Sequence, residues 1–474
     1  MRPLRSLLAT SALGLALSAC SVHDVALGGP ATLVRVVPEP PGAICAQGGV
    51  AIHTGLDLDN DTYLDDHEIT STQYSCNGDA PVACQGGQIL RGAVTVRATA
   101  DWDQLRDVHC VEGNLFVAGV PAGEIPSLPD LGIVTGDVVV AANPTFTSLA
   151  GLSGLHTVGG TYLVQGNDRL QSLAGMERLR GAEALAIIAN NQLDDLAGLE
   201  QLEDFGGSLR VANNAALTSL TGLDHLTRCG RGLALRANGA LVDVGALARL
   251  RDAGSLELAN NEALGAAAFP SLQTVSVRVI VTSNAALSTL SFPALTATGD
   301  FIRLDGNAAL TSFSAPELLT AGGLLATGDT ALQALSLPGL IYVTGVVELR
   351  GLPALTSLAL GNLTSIGDDL SLNTLSSLAS IGGLPRLATV GGDLTVGGNS
   401  ALGSFAGLPA LSLIAGDFTV NDNASLTSFT GLAALRDVGG KLAITNNAQL
   451  PTSVATAFAG RLRVGGPVTI SGNR

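Results

Sequence analysis

The sequence predicts an all-β protein: a parallel β-solenoid of about fifteen turns, preceded by a small disulfide-containing module. A unit of about 24 residues repeats from about Gly113 to the C-terminus, and self-similarity at such a period is typical of solenoids. Within each unit, a short segment such as Asp393–Val396 alternates apolar and polar residues, as a half-buried strand does. The segments between these strands lack the apolar spacing of an amphipathic helix, so we predict short irregular sides.

Three consecutive copies of the repeat, residues 391–414, 415–438 and 439–450, align residue by residue. Because neighbouring turns of a solenoid lie about 4.8 Å apart, apolar side chains at matched positions would stack into one core. Aromatic residues are only 3% of the chain, so we predict a core of Leu, Val, Ile and Ala. Two apolar columns in these copies are Leu394, Phe418 and Leu442, and Val396, Val420 and Ile444.

Glycine pairs precede several predicted strands. Glycine adopts positive φ at little cost, so we predict that these pairs form left-handed corners between the sides of a turn. The pairs are Gly159-Gly160, Gly206-Gly207, Gly391-Gly392 and Gly439-Gly440.

An asparagine recurs about once per repeat, shortly after the predicted strand. Stacked amides that hydrogen-bond to one another and to the turn backbone give such a column a structural role. The column is interrupted at Asp329, Leu352 and Leu375, so we predict that these three turns are the irregular part of the stack. The predicted ladder consists of Asn143, Asn167, Asn190, Asn214, Asn238, Asn261, Asn284, Asn307, Asn399, Asn423, Asn447 and Asn473.

Shorter segments precede the predicted solenoid, residues 113–474. Residues 84–112 are predicted to cap its first turn, since a bare end would expose apolar side chains and unpaired strand edges. Residues 42–80 form a small module bracketed by cysteines, and residues 20–41, rich in Gly and Pro, are predicted to be an extended tether. Residues 1–19 are predicted to be a signal peptide.

The N-terminus has the features of an export signal. Arg2 and Arg5 precede an apolar run, Leu7 to Leu17, that is too short to span a bilayer as a mature helix. The run closes with Leu17-Ser18-Ala19-Cys20, which resembles a bacterial lipobox. The resemblance implies cleavage before Cys20, acylation of that residue and anchoring of an outer-membrane lipoprotein, facing either the cell surface or the periplasm. An ordinary secretory signal with a chance cysteine is the alternative.

Five further cysteines follow Cys20. An exported protein meets an oxidising compartment, so disulfides are expected. Sequence order suggests the pairs Cys45–Cys76 and Cys84–Cys110, although four cysteines allow three connectivities. The fifth, Cys229, occupies an apolar position of the repeat and is predicted to be a buried free thiol.

One segment has the pattern of a metal site. Its acidic residues recur at alternate positions, which is the spacing that supplies Ca²⁺ with six to eight oxygen ligands. Thr62 stands where such a loop prefers glycine, and a solvated acidic turn is the alternative interpretation. The predicted role of the ion is structural, in a module too small for a core of its own. The predicted ligands are Asp57, Asp59, Asp61, Tyr63 through its carbonyl, Asp65 and Glu68.

Two segments resemble known families. Residues 45–78 resemble a short module of exported bacterial proteins in which two cysteines bracket a DxDxD…E loop. Residues 99–117 are similar to the opening of receptor L domains, and this similarity extends loosely over residues 84–474. It implies a right-handed β-helix of leucine-rich-repeat type at a cell surface. The matching residues are Asp101, Leu105, Cys110, Gly113, Asn114 and Leu115.

The composition disfavours several classes of partner and activity. The formal charge is −16, and this strongly negative balance disfavours nucleic acid as a partner. Catalytic motifs are absent from the sequence and aromatic platforms for sugars are scarce, so we predict that the protein is not an enzyme and that glycans are poorer partners than proteins. The predicted function is protein binding or adhesion at the cell surface. The alternatives are a structural envelope component and a polysaccharide-active β-helix enzyme.

Overall fold

Residues 86–474 form a parallel β-solenoid, which confirms the predicted fold class. Each turn places a short strand beside the matching strands of the turns before and after it. Three sides of the turns carry parallel sheets, and the leucine-rich core lies inside the coil. The computed structural model describes residues 32–39, 49–56, 65, 69–76, 83–84 and 86–474.

The largest sheet, here called the long sheet, contains 17 strands in parallel register. Alternate residues of each strand point into the core, so its apolar residues recur with period two. The strands are Val94–Val96, Leu115–Ala118, Val138–Ala141, Thr161–Gln165, Ala184–Ile188, Ser208–Ala212, Gly232–Arg236, Leu256–Ala259, Val279–Thr282, Phe301–Asp305, Gly323–Thr327, Val347–Arg350, Leu370–Asn373, Leu394–Gly397, Phe418–Asn421, Leu442–Thr445 and Val468–Ser471.

A second side of the turns carries short strands, mostly of two residues, in one sheet of four strands and one of twelve. The first sheet contains Gln88–Arg91, Val108–Glu112, Ile133–Val134 and Thr157–Val158. The second contains Asp204–Phe205, Arg228–Cys229, Asp252–Ala253, Thr274–Val275, Ala297–Thr298, Thr320–Ala321, Tyr342–Val343, Ser365–Ile366, Thr389–Val390, Leu413–Ile414, Asp437–Val438 and Arg463–Val464. The third side is a sheet only in the middle turns, at Ala266–Ala268, Thr289–Ser291, Ser312–Ser314, Ala334–Ser336 and Ser357–Ala359.

The solenoid has about 17 turns rather than the predicted fifteen. Two features account for the difference. The first strand of the long sheet, Val94–Val96, lies inside the segment that we assigned to a separate cap, residues 84–112. The middle turns are also shorter than 24 residues, since Ile302 pairs with Leu324, which is 22 residues further along the chain.

The N-terminal segment contains a separate antiparallel sheet of three strands, Thr32–Glu39, Gly49–Leu56 and Ile69–Cys76. Its first strand falls within the predicted tether, residues 20–41, so that part of the prediction is wrong. The run Leu33 to Val37 favours a strand because of its β-branched residues. The prediction instead followed the glycine and proline residues on either side, which disfavour strands.

Helices are few in the described part of the chain. The α-helix Thr452–Ala459 occupies one side of the last turn, and the 3-10 segments are Thr99–Leu105, Ala150–Leu152 and Gly245–Arg249. None of these helices is long and apolar enough to cross a membrane.

The core consists of stacked aliphatic columns, as predicted. Leu394 pairs with Phe418 and Phe418 with Leu442, and all three are fully buried. Phenylalanines add local aromatic stacks, in which the ring of Phe458 from the α-helix lies 3.9 Å from that of Phe429. Because each turn buries its side chains against the next, the burial is a property of the array rather than of one turn.

The glycine pairs do not adopt positive φ, so the predicted reason for them is wrong. At every position of these pairs except Gly206, glycine is required because adjacent turns approach closely. A Cβ added to Gly391 would lie 2.2 Å from the Gly367 carbonyl oxygen, and one added to Gly439 would lie 2.0 Å from the Ala415 oxygen. The constraint is therefore contact between turns and not backbone conformation.

Candidate functional site

The asparagines of the column form a hydrogen-bonded ladder along the inside of the solenoid. Asn238 shows the pattern: its side-chain oxygen accepts bonds from the backbone N–H and the side-chain Nδ2 of Asn214, at 3.1 and 3.3 Å. Its own Nδ2 donates to the Val211 carbonyl at 3.0 Å and to Oδ1 of Asn261 at 3.4 Å. These amides are buried, so the ladder satisfies backbone and side-chain groups that water does not reach.

The ladder changes at Asp329, Leu352 and Leu375, but the backbone there is regular, which contradicts the predicted irregular stretch. The long-sheet strands of these turns keep an unbroken parallel register. Asp329 continues the ladder on one side, since its Oδ1 accepts from the backbone N–H and Nδ2 of Asn307 at 2.7 and 3.0 Å. The two leucines are fully buried and fill the amide positions with apolar side chains.

The residue before each ladder position is left-handed, a feature that the sequence analysis missed. Glycine holds this position in several turns, including Gly166 and Gly398, and this recurrence was an available signal. In other turns a non-glycine residue takes positive φ, which is uncommon and is concentrated here because the ladder holds the corner in place. These residues are Ala142, Ala189, Asn213, Ala237, Asn260, Ser283, Thr374, Asp422 and Asn446.

The disulfide Cys84–Cys110 is present and ties the start of the solenoid to its second turn. Between these cysteines, Asp101 organises the 3-10 segment Thr99–Leu105. Its Oδ2 accepts bonds from the backbone N–H groups of Arg97 and Ala98 at 2.7 and 2.8 Å. These two bonds lower the pKa of Asp101.

Cys229 is a buried free thiol, as predicted. Its Sγ donates to the Gly232 carbonyl at 3.1 Å. Burial raises the pKa of Cys229 to about 11, so the residue is a packed thiol rather than a reactive thiolate.

Several predicted site residues lie outside the described residues. These are Cys20, Cys45 and the candidate calcium ligands Asp57, Asp59, Asp61, Tyr63 and Glu68. Asp65 is described and is partly buried. Residues 57–68 lie in the sequence between two antiparallel strands, Gly49–Leu56 and Ile69–Cys76, and Cys76 pairs with Gly49 in that sheet.

The outward face of the long sheet runs across all 17 strands of the largest sheet. In its early turns, outward positions that pair across successive strands are apolar. Their side chains are partly exposed, and the turn spacing of about 4.8 Å makes them a continuous row. We call this row the apolar strip; it consists of Phe116, Val139, Leu163 and Ala186.

Beyond the apolar strip, the same column alternates between charged and apolar residues through the middle turns, where Ala234, Ile280 and Leu325 stand singly between charged neighbours. The next paired residue is the exposed Arg210, and the middle turns carry ion pairs between Arg236 and Glu257 and between Arg303 and Asp305. The later turns present small polar residues. The outward face is therefore not uniform, and the apolar strip, four turns long, is the uninterrupted apolar run of this column.

A metal site is not seen in the part of the chain that the structure describes: there, no group of three or more His, Cys, Asp or Glu side chains is arranged to hold an ion.

Comparisons with known proteins cover two parts of the chain. A family described as a domain of unknown function (DUF7151) matches residues 32–76, the segment of the three-stranded sheet. Among solved structures, the chain is similar to one in a crystal structure of a TLR13–ssRNA13 complex, at 13% sequence identity and a TM-score of 0.20. That match covers 81% of this chain and 80% of the other. At this TM-score the likeness adds nothing to the fold, which rests on the strand pairing above. No curated protein matches the chain.

Proposed function

We propose that the protein is an outer-membrane lipoprotein, anchored through Cys20, whose solenoid binds a protein partner at the cell surface without catalysis. The observation that carries this proposal is the apolar strip. A contiguous apolar row is typical of a protein-interaction surface, whereas a scaffold without a ligand needs only a surface without such a row. In the other turns of this face, apolar residues stand singly between polar or charged ones. Protein is favoured over glycan because the strip offers aliphatic side chains and few aromatic rings.

Leu163→Arg in the apolar strip is expected to reduce attachment of cells producing the protein to the level of cells that lack it. Arginine fits this column, since Arg210 and Arg303 occupy it in other turns, so the variant should fold. Its charge would have to be desolvated in the complex. Attachment to a surface or to neighbouring cells is the measurement. Thr395→Arg, in the same column but in the polar section, is the matched control and should attach normally.

Equal attachment by all strains, including the strain without the protein, would instead favour the structural envelope component. If both arginine variants lost attachment equally, the apolar strip would not be the binding surface.

Cys20→Ser is expected to move the protein from the membrane fraction to the soluble fraction and to abolish incorporation of labelled palmitate. Acyl chains contribute about 0.8 kcal/mol per buried CH₂, so their loss releases the chain. Protease shaving of intact cells tests the orientation, and degradation of the solenoid is expected. A Cys20→Ser protein that stays in the membrane would refute the anchor.

For the N-terminal module, we propose a structural Ca²⁺ ion in the loop of residues 57–68. This proposal is supported by the position of residues 57–68 in the sequence, between two paired strands whose connection a bound ion would stabilise. The ion would neutralise carboxylates that otherwise repel one another.

A further inference from the structure

A cleft of about 420 Å³ lies at the N-terminal end of the solenoid and includes no residue of the apolar strip. One wall is the 3-10 segment Thr99–Leu105 with the residues that follow it, and the other is the loop of residues 124–131. Pro126 and Pro129 are exposed on the second wall. The cleft is thus formed by two connecting segments rather than by a sheet, and such segments commonly carry binding residues.

Trp102 lines this cleft, and its indole N–H is a donor without an acceptor among the described residues. Its side chain is 5% exposed, and within the described part of the chain its Nε1 has no hydrogen-bond partner. An indole N–H in a protein interior is normally paired, so an unpaired one beside a cleft points to an acceptor supplied from outside. A peptide carbonyl is such an acceptor.

The cleft is also acidic, with four carboxylates and one guanidinium among its lining residues. Two of the carboxylates are already engaged. Asp103 forms an ion pair with Arg106 at 2.9 Å, and Glu124 accepts bonds from the backbone and the hydroxyl of Thr147.

The other two carboxylates, those of Asp107 and Asp130, are unpaired. Both residues are exposed, and neither carboxylate forms a hydrogen bond or ion pair within the described residues. They are therefore free to accept a cationic side chain, and the strongly acidic chain favours a basic partner over long range.

We propose that the cleft binds an extended segment of a protein partner that carries a lysine or arginine side chain. The aliphatic stem of that side chain packs on the prolines, its cation reaches Asp107 and Asp130, and a main-chain carbonyl of the segment accepts from Trp102 Nε1. This inference rests on the proposed protein-binding function and specifies the chemistry of the partner. A free polyamine satisfies the carboxylates alone and leaves the indole N–H unpaired.

The test uses Trp102 as the reporter, because it is the only tryptophan in the chain. Octa-arginine peptide is titrated into the full chain, with spermine as an amine that lacks carbonyl groups. We expect octa-arginine to change the tryptophan emission and to bind more tightly than spermine. In the double variant Asp107→Asn, Asp130→Asn we expect the affinity to fall about tenfold or more.

Folding of the double variant is expected to be normal, since Asp107 has φ of 60° and asparagine adopts that conformation readily. Asp300→Asn is the matched control. Asp300 is exposed and immediately precedes the tenth strand of the long sheet, whereas Asp130 precedes the third, so the control is about 34 Å away along the stack. Its affinity for octa-arginine should equal that of the wild type.

Three results would overturn the inference: octa-arginine affinity unchanged in the double variant, binding without a change in tryptophan emission, or spermine binding as tightly as octa-arginine. The attachment assay with Leu163→Arg is independent of these titrations. Attachment that depends on Leu163 while octa-arginine fails to bind would refute the cleft and leave the proposed function standing.

Discussion

Asn238→Leu is expected to lower the free energy of unfolding by about 3–5 kcal/mol, the largest single effect on stability that we predict for the solenoid. Leucine has no acceptor for the backbone N–H of Asn214, which now bonds to Asn238 at 3.1 Å. It also has no donor for the Val211 carbonyl, bonded at 3.0 Å. Because these groups are enclosed in the coil, water cannot replace the lost partners.

Asn238→Leu should weaken the turns around the substitution most, in addition to lowering the overall free energy of unfolding, because each turn of a solenoid contacts only its neighbours. Amide hydrogen exchange is expected to accelerate most in the strands Ser208–Ala212, Gly232–Arg236 and Leu256–Ala259. Asn191→Leu is the matched control: Asn191 is exposed and forms one surface bond with Asp168, so its replacement should cost less than about 0.5 kcal/mol. A change at Asn238 that is no larger than the control would refute an energetic role for the ladder.

Two native leucines explain why the stability that Asn238→Leu is expected to lose comes from missing hydrogen bonds and not from the shape of the leucine side chain. Leu352 and Leu375 occupy ladder positions without disturbing the register of the long sheet. The backbone N–H of Leu375 still reaches Oδ1 of Asn399 at 2.8 Å. A leucine therefore fits the position, and what the ladder loses is the acceptor for Asn214 and the donor to the Val211 carbonyl.

The columns of the core could be predicted from the sequence because burial acts on each repeat in the same way. Any winding that hides Leu394 also hides Phe418 and Leu442, so the period alone determines which side chains stack. The disulfide Cys84–Cys110 could be anticipated from sequence order, since pairing the four N-terminal cysteines consecutively keeps both loops local.

Features that depend on contacts between turns could not be predicted. Gly391 is a glycine because the preceding turn passes within contact distance of its missing Cβ, and nothing local to the repeat shows this. Ala189 and Ala237 are left-handed although alanine rarely is, because the ladder around them outweighs the local preference. The cleft at Trp102 arises from two segments that are separated in the chain, so composition and period carried no signal of it.

Asp329 is the one acidic residue of the ladder. Its second carboxylate oxygen, Oδ2, stands where an asparagine has the Nδ2 donor. In the preceding turn, Asn307 uses its Nδ2 to donate to the Val281 carbonyl at 2.9 Å. Val281 pairs with Leu304, so the Leu304 carbonyl is the equivalent group for Asp329. An ionised carboxylate cannot donate to it, and Oδ2 of Asp329 is buried without a hydrogen-bond partner in the described part of the chain.

Burial, followed by the charge of Asp305, raises the pKa of Asp329 to about 6, although the bonds from Asn307 act in the opposite direction. A folded pKa above the ordinary value of 3.8 means that the folded protein binds the proton more tightly than the unfolded chain. The contribution of Asp329 to stability is therefore full below about pH 4 and is lost as the pH rises through about 6.

Asp329→Asn is accordingly expected to stabilise the protein by about 2–3 kcal/mol at about pH 8 and by much less at about pH 4. Asparagine keeps the acceptor for Asn307 and supplies the missing donor for the Leu304 carbonyl. The difference in unfolding free energy between variant and wild type, measured across this pH range, isolates Asp329 from the other acids. Asp300→Asn, at an exposed position, should show no such pH-dependent gain. A constant difference for Asp329→Asn at all pH values, or a destabilisation at about pH 8, would show that the buried carboxylate is not the titrating group.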